Sequence, residues 1–261
     1  MHCTKMQGLG NDYLYFYGAL EDPSALSVRL SDRHFGIGSD GIITIEPSDK
    51  ADFRMRIFNA DGSEAKMCGN GIRCVGKYVY DKGYTDRKNL KIETLSGIKT
   101  LDLMTDCKGY VRSVSVDMGT VTVKRPVTLS VNGAEVTLTP VSVGNPHAVI
   151  FVDDAGGAPL YTLGPAIEKH EYFPDGVNVE FVSKTGINSL RMRVWERGSG
   201  VTMACGTGAC AASAAAVSAG ICEKNVPITV TLDGGDLSVI IKEDRKAIMT
   251  GPARTVCEIE V

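Results

Sequence analysis

The chain repeats itself at long range. Residues 54–71 read RMRIFNADGSEAKMCGNG, and residues 191–208 read RMRVWERGSGVTMACGTG. An offset of 137 positions aligns Arg54, Met55 and Arg56 with Arg191, Met192 and Arg193, and Cys68, Gly69 and Gly71 with Cys205, Gly206 and Gly208. Gly83 then meets Gly220, and Thr94, Leu95 and Gly97 meet Thr231, Leu232 and Gly234, which makes 10 identities over 44 positions without a gap. Chance supplies about two or three with these residue types. A chain built this way is constrained to two halves of one architecture.

Each copy has the same local grammar. RMRIF and RMRVW alternate polar and apolar residues, as a half-buried strand does. A glycine-containing loop and a Cys-Gly-x-Gly segment follow. IRCVGKYVYDK after Gly71 and ACAASAAAVSA after Gly208 suit helices that stop at Gly83 and Gly220, where glycine fits the left-handed position just past a helix. The second helix is almost entirely Ala, Ser, Val and Cys, so it is expected to be buried on every side. A strand follows each helix, KIETLSG and ITVTLDG. GYVRSVSVDMG, PVTLSVNGAEVTLTPVSVG and LSVIIKEDRKAIMTG add further strands, with VNGAEV a hairpin signal. The expected fold is of the α/β (α+β) class: two pseudo-symmetric domains, each a strand-rich, barrel-like sheet wrapped around a central buried helix. The boundary is placed in DMGTVTVKRP, giving domains of residues 1–118 and 119–251, with 252–261 a candidate to rejoin the first.

Composition narrows the function. The 261 residues are 43% hydrophobic and 23% charged, ordinary for a globular protein, and the net charge of −3 offers no footprint for nucleic acid or an anionic membrane. MHCTKMQGLGND lacks the apolar core of a signal peptide, and the alanine-rich run is too short to span a bilayer, so a cytoplasmic protein is expected. In that compartment the eight cysteines are expected to stay thiols. No C-x-x-C occurs, and no metal site is expected.

Two cysteines at matched helix starts carry the chemistry. A helix N-terminus presents free N–H groups and partial positive charge, which lower a thiol pKa and bind carboxylates. Glycine there permits close backbone approach of a ligand. One such cysteine suits a hydrolase nucleophile. Two related by pseudo-symmetry suit stereoinversion, in which a thiolate takes a proton from one face of a carbon and a thiol returns one to the other. Helix-start N–H groups would stabilise charge developing on an adjacent carboxylate. Alternatives are a reversible Cys68–Cys205 redox pair and an amino-acid binder that needs no sulfur chemistry.

The ordered set MCGNG, ACGTGAC, FNADGSE, NPHAV, GVNVEFV and WERGSG resembles the diaminopimelate epimerase family. The resemblance runs from GLGND, near residue 8, to the ACGTGAC helix. It implies two similar α/β halves, a cofactor-independent isomerase that turns LL-diaminopimelate into the meso form for lysine and cell-wall precursors, and a homodimer. It assigns Cys68 and Cys205 as catalytic thiols, and Gly69, Asn70, Gly206 and Thr207 as the cradle of the reacting carboxylate. Asn11, Asn59, Asn145 and Asn178 become substrate contacts, and Glu196 and Arg197 the readers of the distal ammonium and carboxylate. The first copy has Asn59 and Ala60 where the second has that charged pair, so the symmetry serves the reacting carbon and its breaking serves selectivity. The distal pair also argues against the nearest rival, a racemase for proline. His147 is expected to be structural, Arg54, Arg56, Arg191 and Arg193 to be strand residues with structural partners, and the other six cysteines to be packing residues. Val201-Thr202 stands where many members of the family have Glu-Thr, a change expected to alter hydrogen bonding near Cys205.

Overall fold

A computed structural model describes residues 1–261. The chain divides into two compact units, residues 1–116 with 251–261, and residues 117–250.

In the first unit β1 (His2–Gly8), β2 (Asn11–Tyr17), β3 (Gly41–Glu46), β4 (Phe53–Asn59), β6 (Asn89–Thr94), β7 (Gly97–Thr105) and β8 (Val111–Thr120) pair in that order, with the short β5 (Glu64–Ala65) also on β4. The last strand, β19 (Arg254–Glu260), returns to pair with β1. The β2–β3 and β4–β6 pairs are parallel. Parallel neighbours need a crossover, supplied by α1 (Pro23–Ser31) and α2 (Gly69–Asp81).

The second unit repeats this plan. Its strands β11 (Ala134–Ser142), β12 (Pro146–Phe151), β13 (Asn178–Gly186), β14 (Ser189–Glu196), β16 (Ile228–Leu232), β17 (Gly235–Ile241) and β18 (Lys246–Pro252) pair in sequence, and β15 (Gly200–Val201) lies on β14. Here too the pairs that need crossovers, β12–β13 and β14–β16, are parallel, and α3 (Leu160–Glu168) and α4 (Gly206–Ser218) bridge them. The edge of β11 is covered by β9 (Thr122–Val123) and β10 (Val127–Val131), the latter through the expected hairpin at Asn132-Gly133. The offset of 137 carries the bounds of α1 onto α3 and of α2 onto α4 without a shift. The duplication therefore extends well beyond the stretch where identities survive.

Strand alternation places one helix on each face of the sheet. In the first unit Leu14, Phe16, Ile42 and Phe58 pack under Leu30 of α1, while the alternate side chains face α2, which lies against β1, β2, β7 and β19. In the second, Ala148, Ile150, Val179 and Phe181 pack with Leu160 and Ile167 of α3. Helix α4 lies against β9, β11, β12, β13, β14, β16 and β17, and is buried at Gly206 and continuously from Gly208 to Ala216. The expected class, a strand-rich mixed α/β fold around buried helices, is the one observed.

Both central helices stop as the glycines require. Gly83 and Gly220 have φ of +76° and +72°, and each closes a Schellman motif. Tyr84 N donates to Val79 O and Gly83 N to Tyr80 O, matched by Ile221 N to Ala216 O and Gly220 N to Val217 O.

One expected feature needs a physical account, and two others depart from expectation. Helix α2 is buried from Gly69 to Val79 although it carries Arg73 and Lys77. Lys77 is satisfied by Asp81 and the Val111 carbonyl. The guanidinium of Arg73 donates to Gly69 O, Asn70 Oδ1 and Pro252 O. Helices α1 and α3 are additional to those read from the sequence. Asp22 caps α1 through Ala25 N with Pro23 at its first position, whereas α3 contains Gly164 and Pro165, which argue against a helix. Gly164 is there for packing, since a Cβ would lie 2.7 Å from Trp195 Cβ. Finally, only four of the six remaining cysteines are packing residues, because Cys107 and Cys257 are exposed.

Candidate active site

Cys68 is the N-cap of α2, with extended backbone (φ −138°, ψ 115°) and its sulfur accepting from Gly71 N at 3.3 Å. Cys205 caps α4 in the same way (φ −116°, ψ 111°), accepting from Gly208 N at 3.3 Å. An N-cap side chain satisfies an N–H that the helix leaves unpaired. Serine, threonine, aspartate and asparagine usually hold this position, so a sulfur found there twice is held where N–H groups and the helix dipole favour its anion.

Around Cys68, strand β2 supplies the partners. The Cys68 thiol donates to Asn11 Oδ1 at 3.2 Å, and Asn70 Nδ2 reaches the same oxygen at 3.4 Å. The Asn11 amide is oriented by Asp40, to whose Oδ2 it donates at 2.7 Å, and Arg33 holds Asp40 in turn. Asn70 is buried and fixed by Arg73. Asn11, Cys68, Gly69 and Asn70 thus form one connected cluster. Asn59 takes the turn chemistry ordinary for asparagine instead, with its amide donating to Ser63 Oγ at 3.0 Å.

Around Cys205 the setting is acidic. The sulfur lies 3.5 Å from Thr207 Oγ1, and Asn145 Nδ2 donates to that hydroxyl at 3.4 Å. His147, wholly buried, joins Asn145 Oδ1 through Nε2 at 3.1 Å and Glu180 Oε1 through Nδ1 at 2.6 Å. Glu180 is also wholly buried, and its Oε2 has no hydrogen-bond partner. Glu196 accepts from Thr202 Oγ1 at 2.5 Å. Burial, then the negative charges of Glu196 and Glu180, push the Cys205 thiol well above the ordinary cysteine range. Burial likewise raises the Glu196 carboxyl, against the donor Thr202.

Glu196 ends β14, with its charge acting on Cys205, while Arg197, in the turn that follows, donates to Asp175 O at 2.8 Å. Asn178 ties the segment down by accepting from Arg197 N at 2.8 Å and donating to Pro146 O. Thr202 is the hydroxyl that holds Glu196, and Val201, the residue that departs from the family pattern, packs with the α3 cluster. His147 has the structural partners expected of it. Arg191 and Arg193 both pair with Asp233, and Arg56 with Glu64.

The conserved-looking glycines owe their place to the protein's own interior as well as to any ligand. A Cβ on Gly71 would lie 2.7 Å from Ile43 Cδ1, and one on Gly208 would lie 2.9 Å from Glu180 Oε1. Two further thiols are also held protonated, since burial lifts Cys3 and Cys74 to about 11. Sequence reading passed over Arg73 and Glu180. Glu180 had a signal, as a lone acid inside the apolar run VNVEFV.

No group of three or more His, Cys, Asp or Glu side chains could hold a metal ion, and no helix is long and apolar enough to cross a membrane. A family model described as diaminopimelate epimerase matches residues 3–124 and 139–256. A diaminopimelate epimerase of Acetivibrio thermocellus is 49% identical over all of this chain and 98% of its own, and one of Methanococcus maripaludis is 51% identical over all of this chain and 99% of its own. Among solved structures, a phenazine biosynthesis protein of the PhzF family from Bacillus anthracis superposes with a TM-score of 0.75 at 16% identity, covering 100% of this chain and 98% of that one. A probable proline racemase from Agrobacterium radiobacter gives 0.74 at 17% identity, covering 100% and 92%. At such identities these two share the fold alone, whereas the relatives near one-half identity extend over the full length. The chain belongs to the diaminopimelate epimerase family and is an isomerase.

Proposed function

We propose that this protein converts LL-diaminopimelate to meso-diaminopimelate by two-base proton transfer at Cα, with Cys68 and Cys205 as the bases. The observation that carries the reading is the duplicated cap: two sulfurs, each at the start of a buried helix and each receiving an N–H from a glycine three residues on. The thiolate of one takes the Cα proton. The electron pair left on Cα spreads into the neighbouring carboxylate, and the helix-start N–H groups at Gly69, Asn70, Gly206 and Thr207 meet the charge that develops there. The thiol of the other delivers its proton to the opposite face. The two sulfurs finish with exchanged protonation states, so the reverse reaction uses the same groups in exchanged roles.

Asn11, Asn59, Asn145 and Asn178 are assigned to substrate contacts, and Arg197 to the distal carboxylate, which its planar fork can grip with two hydrogen bonds. Glu196 is assigned to the reacting end, on the strength of its charge acting on the Cys205 thiol. The reading includes turnover without pyridoxal phosphate, a homodimer, a cytoplasmic setting, and a place in the supply of lysine and peptidoglycan precursors.

The test is turnover of LL-diaminopimelate by reduced protein in heavy water, without added pyridoxal phosphate. The expected product is the meso isomer with solvent deuterium at the inverted Cα. Cys68→Ala and Cys205→Ala are each expected to abolish inversion while retaining the fold. Absence of both inversion and deuterium exchange in the wild-type protein defeats the proposal.

A further inference from the structure

His147 and Glu180 stand on the neighbouring parallel strands β12 and β13, and both are wholly buried. Nδ1 of His147 lies 2.6 Å from Glu180 Oε1, and Nε2 lies 3.1 Å from Asn145 Oδ1. Asn145 Nδ2 donates to Thr207 Oγ1 at 3.4 Å, and that hydroxyl lies 3.5 Å from the Cys205 sulfur. A continuous chain of side chains thus links a buried acid to the sulfur that caps α4.

Such a chain has a direction, because an amide oxygen only accepts and an amide nitrogen only donates. With the Asn145 oxygen toward the ring, Nε2 must carry a hydrogen, and the contact between Nδ1 and Glu180 holds a second. The Asn145 amide then occupies a lone pair of Thr207. The Thr207 hydrogen is left for the sulfur, which also accepts from Gly208 N. In the opposite direction Nε2 is bare, Asn145 is turned over, and its oxygen takes the Thr207 hydrogen from the sulfur. The structure adopts the first arrangement.

The first unit has no counterpart. The offset takes Asn145, His147, Glu180 and Thr207 to Gly8, Gly10, Ile43 and Asn70. The backbone cap is common to both units, whereas every member of the chain is confined to one. It serves the sulfur that has acidic neighbours, where a donor is most needed. Burial and the charges of Glu196 and Glu180 oppose ionisation of Cys205, and the Thr207 hydroxyl and the Gly208 N–H favour it.

We propose that Glu180 is a positioning residue: through His147 and Asn145 it keeps the Thr207 hydroxyl hydrogen turned to the Cys205 sulfur, so that this sulfur can carry negative charge. The proposal rests on the assignment of Cys205 to proton transfer. Glu180 and Glu196 are the acids whose charges act on Cys205, so the effect of charge has to be separated from the effect of the chain. Thr207→Val removes the hydroxyl and keeps the shape, and its cost is therefore compared within single backgrounds, where those charges cancel.

The measurement is the rate at which iodoacetamide alkylates Cys205 in the full chain at a fixed, mildly alkaline pH, followed on its peptide by mass spectrometry. Loss of one hydrogen bond to an anion lowers the thiolate fraction about tenfold, and the freed sulfur is more nucleophilic in part compensation. Thr207→Val is therefore expected to slow alkylation about threefold in the wild-type background. Asn145→Asp can only accept and draws the Thr207 hydrogen to itself, so the cost of Thr207→Val is expected to vanish there. Glu180→Leu leaves the ring hydrogen free to sit on either nitrogen, and most of the cost is expected to be lost. Glu180→Gln is expected to restore it. An oxygen tolerates the partnerless place of Oε2 better than an N–H does, which leaves the Gln amide to donate to Nδ1.

NMR of the nitrogen-labelled wild-type chain is expected to find a hydrogen on His147 Nε2. A bare Nε2, or no cost of Thr207→Val in the wild type, overturns the proposal. So does a cost that is unchanged in Asn145→Asp or Glu180→Leu, or absent in Glu180→Gln. Asn145→Asp and Glu180→Gln decide the matter if Glu180→Leu does not fold. Neither alkylation nor NMR needs turnover, so the result is independent of whether the wild-type protein epimerises diaminopimelate.

Discussion

The two helix starts are alike in backbone and unlike in what lies against them. Ile43 and Glu180 are equivalent under the 137 offset, and each sits against the third residue of its helix, Gly71 or Gly208. The first unit puts an apolar side chain there and gives its sulfur a neutral partner, Asn11. The second puts a buried carboxylate there, pairs it with His147, and adds Glu196 beside the sulfur. Duplication preserved what only the backbone can supply: a cap, a row of N–H groups and a tight turn. It left the electrostatics of each sulfur free to diverge, and Cys205 is consequently the thiol that burial and negative charge hold protonated.

Four substitutions sharpen this comparison. The largest effect is expected from Glu180→Ala, which strips a wholly buried partner from His147. Loss of one member of such a pair costs about 3–5 kcal/mol, measurable as a lower urea midpoint. A loss below about 1 kcal/mol would mean that the pair is not structurally coupled in this way. A smaller effect separates the two glycines. Gly208→Ala drives a Cβ against Glu180 Oε1, which His147 pins, and is expected to cost about 1–3 kcal/mol. Gly71→Ala meets only the tip of Ile43, which can rotate away, and gains about 0.5–1 kcal/mol of helix propensity. It is therefore expected to be close to neutral, and equal losses in the two variants would break the contrast.

The smallest effect concerns titration. A negative neighbour disfavours the thiolate and raises a thiol pKa. Replacing Glu196 by the neutral Gln removes one such neighbour, so the alkylation midpoint of Cys205 is expected to fall by about one pH unit or less. A midpoint that rises or stays fixed would show that burial alone governs Cys205.

Much of the architecture could be read from one dimension. Cys68 and Cys205, the helix-stopping Gly83 and Gly220, and the strands at RMRIF and RMRVW are local signals, and local rules suffice for them. Helix α3 was hidden because Gly164 and Pro165 violate those rules and tertiary packing on Trp195 overrides them. The burial of α2 was expected, but the means of it was hidden for a related reason. Arg73 and Lys77 are tolerable inside only because carbonyls at Pro252 and Val111 come to meet them.

Sequence by itself determined that there are two halves, where each central helix stands, and which two sulfurs cap them. It determined the family as well, because the motifs that define it are contiguous strings. Only the tertiary structure decided the neighbours of each sulfur. Glu180 is 25 residues from Cys205, and although a lone acid in an apolar run is unusual, nothing local says that its charge acts on that sulfur. The physical reason is that a capping bond is made within one turn of chain, whereas the field at a sulfur is the sum over whatever the fold brings near it.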